Sequence, residues 1–175
     1  MQRALCLLLV LGFSGGCGYR LSHSPQAGKP PVTIAISTFE NDSLEPGIEL
    51  MLGNALINEF ARPGRVQGTE KSADPDYTLT GSIKAVSTSS RTLTTNIRAI
   101  EFTVVVRIDP VLVRNSDGKK LKLDRLSRSA DEVYLASFNQ EISRKNREEA
   151  LRRIAAVLAD RIYDDVEVLT DGAGS

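Results

Sequence analysis

Hydrophobic and polar positions along this chain change period several times, and each change predicts an element. Residues 32–39 alternate, which places Val32, Ile34 and Ile36 on one face of a first strand. A turn-rich stretch, residues 40–47, leads with Pro46 and Gly47 into a helix whose stripe is Ile48, Met51, Leu52, Ala55 and Leu56. Pro63-Gly64 stops that helix. Leu50 and Ile57 point away from the stripe, so each is either half-buried under a loop or a contact for a partner. Glu59 falls on the stripe, where it must snorkel to water or mark the fraying end.

Residues 66–75 read as a short strand or a loop. Beyond them Tyr77, Leu79 and Ile83 turn inward while Thr78, Thr80, Ser82 and Lys84 turn outward, the alternation of a sheet with one wet face. The hydroxyl-rich run 87–96 suits a long exposed hairpin end. Ile100, Phe102, Val104, Val106 and Ile108 form a third inward face, interrupted by Pro110. The strand either lies at an edge there, or a bulge turns Val111 and Val113 inward. Asn115-Ser-Asp-Gly118 is a strong turn signal, so residues 119–126 return antiparallel. From about residue 145 to 169, Leu151, Ile154, Ala155, Leu158, Ile162, Val166 and Leu169 mark one face of a long helix. Glu148 with Arg152, and Glu149 with Arg153, support it at i,i+4 spacing.

The predicted order is strand, helix, three strands, helix. It implies an α+β fold, two helices packed on one face of a mixed four-stranded sheet, as one domain over residues 32–169 with a disordered tail at 170–175.

The first 31 residues follow a different logic. Arg3, an apolar run over residues 4–13 and Ser14-Gly15-Gly16 before Cys17 read as the three regions of a lipoprotein signal peptide, residues 1–16. Ser14 stands where Leu is usual. The apolar run is about half the ~20 residues a membrane-spanning helix needs, so it is an export address. After cleavage the Cys17 sulfur would take a diacylglycerol and its amine a third acyl chain, such as palmitate. Several chains together anchor a protein that one chain holds only marginally. Gly18 in place of Asp points to the outer membrane. Residues 17–31, polar and broken by prolines, form a lipidated flexible tether. Cys6 leaves with the leader, so no disulfide is available to staple the domain.

The chain is neutral, with 22 basic and 22 acidic residues, which disfavours bulk nucleic-acid binding. The charge is unevenly distributed: residues 40–76 hold eight acidic and three basic side chains, residues 84–128 ten basic and four acidic. A basic strand region suits an anionic partner. Catalysis is disfavoured. The sole histidine, His23, lies in the tether, no thiolate remains to hold a metal, and no Gly-rich phosphate loop opens either helix. Asp164-Asp165 reads as solvated helix surface. No cofactor is expected.

Six stretches carry a further signal: Cys17-Gly-Tyr-Arg20; residues 34–39 followed by Glu40-Asn41; Glu45-Pro-Gly-Ile-Glu49 leading into residues 52–60; residues 77–83; residues 115–119; and residues 147–155. In order and spacing they resemble the lipopolysaccharide-assembly lipoprotein family, LptE. The resemblance implies a non-catalytic protein, lipid-anchored on the periplasmic face of the outer membrane. Such a protein plugs the LptD β-barrel, helps it assemble and assists lipopolysaccharide transport to the cell surface. Because lipopolysaccharide carries phosphates, basic side chains at a sheet end become candidate contacts. Arg91 and Arg98 flank the hydroxyl-rich hairpin, and Lys119, Lys120 and Lys122 follow the Asp-Gly turn. A strand ending in Phe-Glu-Asn before a helix also opens lipoprotein regulators of cell-wall synthases and secretion-channel lipoproteins, which supply the alternative function.

Overall fold

The computed structural model describes residues 31–69, 74–91 and 99–171. The leader, Cys17, the tether before Pro31, Arg98 and residues 172–175 lie outside the described residues. The elements in chain order are β1 (Val32–Ile36), β2 (Glu40–Asn41), α1 (Ile48–Phe60), β3 (Val66–Gly68), β4 (Tyr77–Ser90), β5 (Ala99–Arg114), β6 (Lys120–Lys122), β7 (Ser129–Ser137) and α2 (Gln140–Asp171).

The fold is α+β, as expected, but the sheet has seven strands instead of four. Strand length explains the difference. At 14 and 16 residues, β4 and β5 form one long antiparallel ladder, and each borders two short strands laid end to end. β1 and β2 run parallel to β4, while β6 and β7 run antiparallel to β5. β3 extends one end of the sheet by pairing with β1. The four strands the pattern suggested are β1, β4, β5 and β6, neighbours in that order, and β2, β3 and β7 are additional to them.

Alternation in β5 runs unbroken through Pro110: Val104, Val106, Ile108 and Leu112 are buried, whereas Val111 and Val113 stay half-buried on the opposite face. The edge expectation is the one realised. The ladder with β7 ends at Arg107 and that with β6 begins at Val111, so Pro110 lies in a local gap, the setting in which a strand tolerates a missing N–H. The one bulge falls instead on β4, between Ile83 and Ala85.

α1 buries Ile48, Leu52, Leu56 and Phe60. It begins at Gly47, whose φ of 85° is costly for any side-chain-bearing residue. Asn41 organises the approach: its amide donates to the Glu45 carbonyl at 2.8 Å and to Glu49 at 2.7 Å, and its oxygen accepts from the Ser43 hydroxyl at 2.6 Å. Glu59 sits at the end of the stripe and pairs with Arg62 at 2.5 Å.

α2 has 32 residues, about 48 Å at 1.5 Å per residue. It starts five residues before the expected boundary, because Asn139 caps it, accepting from the Glu141 N–H at 2.9 Å. The first ten residues are polar but for Ile142, so no apolar period announced them. At the other end Thr170 is buried and bonds back to the Val166 carbonyl at 2.9 Å, carrying the helix into the segment expected to be tail. Leu151, Ile154, Leu158, Ile162 and Val166 cover the sheet, and Tyr163 meets Phe60 of α1 edge-on at 5.2 Å.

β7 was not expected as a strand. Its helix-facing positions include Glu132, which disguises the alternation and is satisfied by Arg153 of α2 at 3.1 Å. Side chains of α2 also seal the free edge of β7. Ser143 accepts from the Ser137 N–H at 2.8 Å, Asn146 donates to the Leu135 carbonyl at 2.8 Å, and Arg161 donates to the Ser129 carbonyl at 3.0 Å.

Gly81 tests this packing. A Cβ there would lie 2.7 Å from the Asp109 carbonyl oxygen, 2.7 Å from the Phe39 ring and 2.9 Å from the Pro110 Cα, with backbone on two of the three sides. Gly81→Ala is expected to lower the unfolding free energy by about 1–3 kcal/mol, the usual range for overpacking, measured by urea denaturation.

Candidate functional site

At about 3.4 Å per residue, the 16 residues of β5 make the sheet roughly 50 Å long, so the molecule has two distant poles. The sequence-predicted contacts divide between them.

The first pole is the β5–β6 turn. Gly118, at φ 70°, allows the reversal, and its N–H donates to the Arg114 carbonyl at 2.8 Å. Asp117 accepts from the Lys119 N–H at 3.0 Å. Lys119, Lys120 and Lys122 are exposed and make no ion pair among the described residues. The chain enters the domain at this same pole, since Ile34 is level with Tyr77 and Tyr77 with Arg114. Asp76 fixes that entry by accepting from the Thr33 N–H and hydroxyl, both at 2.8 Å. Pro31, Asp74, Asp76, Arg114 and Asn115 line an open cleft of about 670 Å³ beside it.

The second pole is the far end of the β4–β5 ladder. Residues 87–90 are exposed and stand beyond the apolar core. Arg91 closes the ladder with its N–H to the Glu101 carbonyl at 2.8 Å, and its side chain is exposed. Here Phe138 is 86% exposed and Ile142 47%, Ile100 is exposed on the helix-facing side, and Leu135, level with Glu101, is exposed on the opposite face. Phe102 and Tyr134 stack at 5.7 Å on the same face as Ile100. Ile100 does lie on the helix-facing side, yet β5 outruns the helix cover, which leaves it wet. Arg144 and Lys145, in the first turns of α2, add positive charge and pair with Glu141 at 2.8 and 3.8 Å. The Arg144 hydrogen bond holds the Glu141 carboxyl below its usual pKa.

Arg91 and the lysines therefore do not share a patch. Arg91 is level with Glu101 and Lys120 with Val113, twelve positions along β5, or about 40 Å. Leu50 and Ile57 lie on the outer face of α1, 63% and 57% exposed, with no loop over them among the described residues. Phe138, Ile142, Leu135 and Ile100 went unrecognised as surface; two of them, Phe138 and Ile142, are isolated apolar residues between polar neighbours, the one signal available. Asp165 is more than solvated surface, for it accepts from the Asp124 N–H at 2.8 Å and the Ser127 hydroxyl at 2.5 Å, whereas Asp164 is exposed.

A bidentate ion pair joins α2 to the approach loop of α1. Arg147 of α2 grips Glu45 at 2.5 and 2.7 Å, and that hydrogen-bonded contact raises the pKa of the guanidinium. Near mid-ladder, Lys84 is raised above the ordinary lysine range by its 2.8 Å hydrogen bond to Asp42. Burial raises the Tyr163 hydroxyl. Among the described residues no group of His, Cys, Asp and Glu could hold a metal ion, and no helix is long and apolar enough to cross a membrane.

The family model LptE, lipopolysaccharide-assembly, matches residues 32–166. No curated protein matches the chain. Among solved structures, the chain is similar to rare lipoprotein B from Shewanella oneidensis, at 15% identity and a TM-score of 0.49, covering 82% of this chain and 99% of that one. It is similar to a putative lipoprotein from Caulobacter crescentus, at 15% identity and a TM-score of 0.47, covering 78% of this chain and 92% of that one. It is also similar to lipoprotein B from Nitrosomonas europaea, at 16% identity and a TM-score of 0.46, covering 81% and 86%.

The apolar second pole carries its own test. Phe138→Ser combined with Ile142→Ser is expected to change the unfolding free energy by less than about 0.5 kcal/mol, as for surface sites, while at least halving the fluorescence of a bound apolar dye. A loss above about 2 kcal/mol would instead place both side chains in the core.

Proposed function

We infer the function from one premise: this chain belongs to the lipopolysaccharide-assembly family LptE, whose model matches residues 32–166. The protein is an envelope lipoprotein of the outer membrane, held at the periplasmic face by acyl chains on Cys17. It occupies and supports an LptD-type β-barrel and assists lipopolysaccharide transport and assembly, without catalysing a reaction.

The observation that carries this reading is the family match, and the shape of the domain supports it. A ladder about 50 Å long with helices on one face is a wedge suited to standing inside a wide barrel. The face opposite the helices bears half-buried Val111 and Val113 level with Thr80 and Thr78, and Val105 and Val133 further along, a mixed surface that a barrel wall would cover. Leu50 and Ile57 extend the contact surface on the helix side.

Lipopolysaccharide is amphipathic, and the second pole offers both chemistries it requires. Phe138, Ile142 and Ile100 accept acyl chains, and Arg91 meets phosphate through charge-assisted hydrogen bonds, with Arg98, outside the described residues, as a further candidate. Lys119, Lys120 and Lys122, at the pole where the tether enters, form a separate cationic contact for lipopolysaccharide or the membrane surface.

Photo-crosslinking residues placed at Leu50, Ile57 and Phe138 in intact cells are expected to trap a large outer-membrane barrel protein. Capture of a peptidoglycan synthase instead would replace this reading with that of a cell-wall regulator. Mass spectrometry of the native protein is expected to find residue 17 as the first residue, bearing diacylglycerol and a third acyl chain. A bare thiol there would remove the anchor from the proposal.

A further inference from the structure

Between the two poles lies a cationic cleft that the proposed function does not use. β6 leaves β5 at Val111 and β7 joins it at Arg107, so the edge of β5 is open over residues 108–110. The connecting segment passes this gap as a single 3-10 turn, Leu126–Arg128. Two residues of α2 hold that turn in place. Asp165 accepts from the Asp124 N–H at 2.8 Å and the Ser127 hydroxyl at 2.5 Å, and Arg161 donates to the Leu126 and Ser129 carbonyls at 3.1 and 3.0 Å. The turn sets Arg125 and Arg128 beside Arg107, and Lys84, released from strand alternation by the β4 bulge, lines the same cleft.

The cleft has a volume of about 390 Å³, within the roughly 300–1,000 Å³ typical of small-ligand sites. Four cations line it against one carboxylate, Asp109. Arg128 pairs with Asp109, and Lys84 pairs with Asp42 at 2.8 Å. Arg107 and Arg125 are exposed and have no ion-pair partner among the described residues. The Arg128 Nε is buried with no hydrogen-bond partner.

The geometry points to a phosphate-binding site formed by Lys84, Arg107, Arg125 and Arg128, taking a phosphomonoester carried on a sugar or on a lipid headgroup. Three guanidinium groups around one open space exceed what a single carboxylate, already present as Asp109, neutralises. A dianionic phosphate presents three acceptor oxygens and matches the planar donor forks of arginine. The site is independent of the second pole: Arg107 is six positions from Glu101 and six from Val113, about 20 Å from either end of the ladder.

Inorganic phosphate titrated into the full-length ¹⁵N-labelled protein in non-ionic detergent at low salt is the direct test. Saturable amide shifts are expected at Arg107, Ile108, Asp109 and Ser129, with acetate at equal concentration leaving them unmoved. Arg107→Ser with Arg125→Ser is expected to weaken phosphate at least tenfold. Asp109→Asn, which removes the internal competitor, is expected to tighten it about threefold, a sign that misfolding cannot produce. Glucose 6-phosphate and phosphatidic acid bicelles, both phosphomonoesters, then compete separately, and the more effective competitor identifies the natural carrier. Absent shifts, equal response to acetate, wild-type affinity in the double variant, or no gain with Asp109→Asn would each overturn the site. Since Arg91, Phe138 and Ile142 are intact in every variant, failure here leaves the reading of the second pole standing.

Discussion

Everything else in this domain rests on the burial of one helix face against one ladder. The described residues contain no cysteine, so no covalent tie among them holds the layers together. The α2 stripe from Leu151 to Val166 packs over β5 and β7 and reaches α1 through Tyr163 and Phe60. Truncating one such buried aliphatic residue costs about 2–5 kcal/mol, a large share of the roughly 5–15 kcal/mol by which a domain of this size is stable. The sheet's own hydrogen bonds set register, but they give it no reason to curl onto anything. The apolar stripe supplies that reason.

Polar contacts then decide where each irregular segment lies on that scaffold. Arg147 and Glu45 join α2 to the approach loop of α1 across 102 residues of sequence. Asp165 and Arg161 fix the turn after β6, and Arg153 satisfies the inward Glu132. All are partly exposed, so each contributes modestly to stability. Their larger effect is positional, for they determine which cations face the mid-ladder cleft and which apolar side chains are left at the far pole.

The two amphipathic helices, the inward faces of β1, β4 and β5 and the Asp-Gly turn were legible because each declares itself through a local period or a local backbone demand. β7 was not, since Glu132 breaks its pattern and its satisfaction by Arg153 comes from 21 residues away. The first ten residues of α2 were hidden for a related reason: their start is set by the Asn139 cap, and Ile142 alone among them is apolar. Arg91 and Lys119 were grouped because both follow strand ends. Only the measured length of β5 shows that these are opposite ends. The mid-ladder cleft assembles Lys84, Arg107, Arg125 and Arg128 from three separate segments, and no spacing in the chain reveals it.

The sealed margin of β7 has one more consequence. An open strand edge is a template on which a second polypeptide can extend the sheet, and that is the route to fibrillar self-association. With Ser129, Leu135 and Ser137 already engaged by α2, a second chain pairing along this border would have to displace helix side chains near both of its ends. That cost works against self-pairing at β7 when many copies are crowded together.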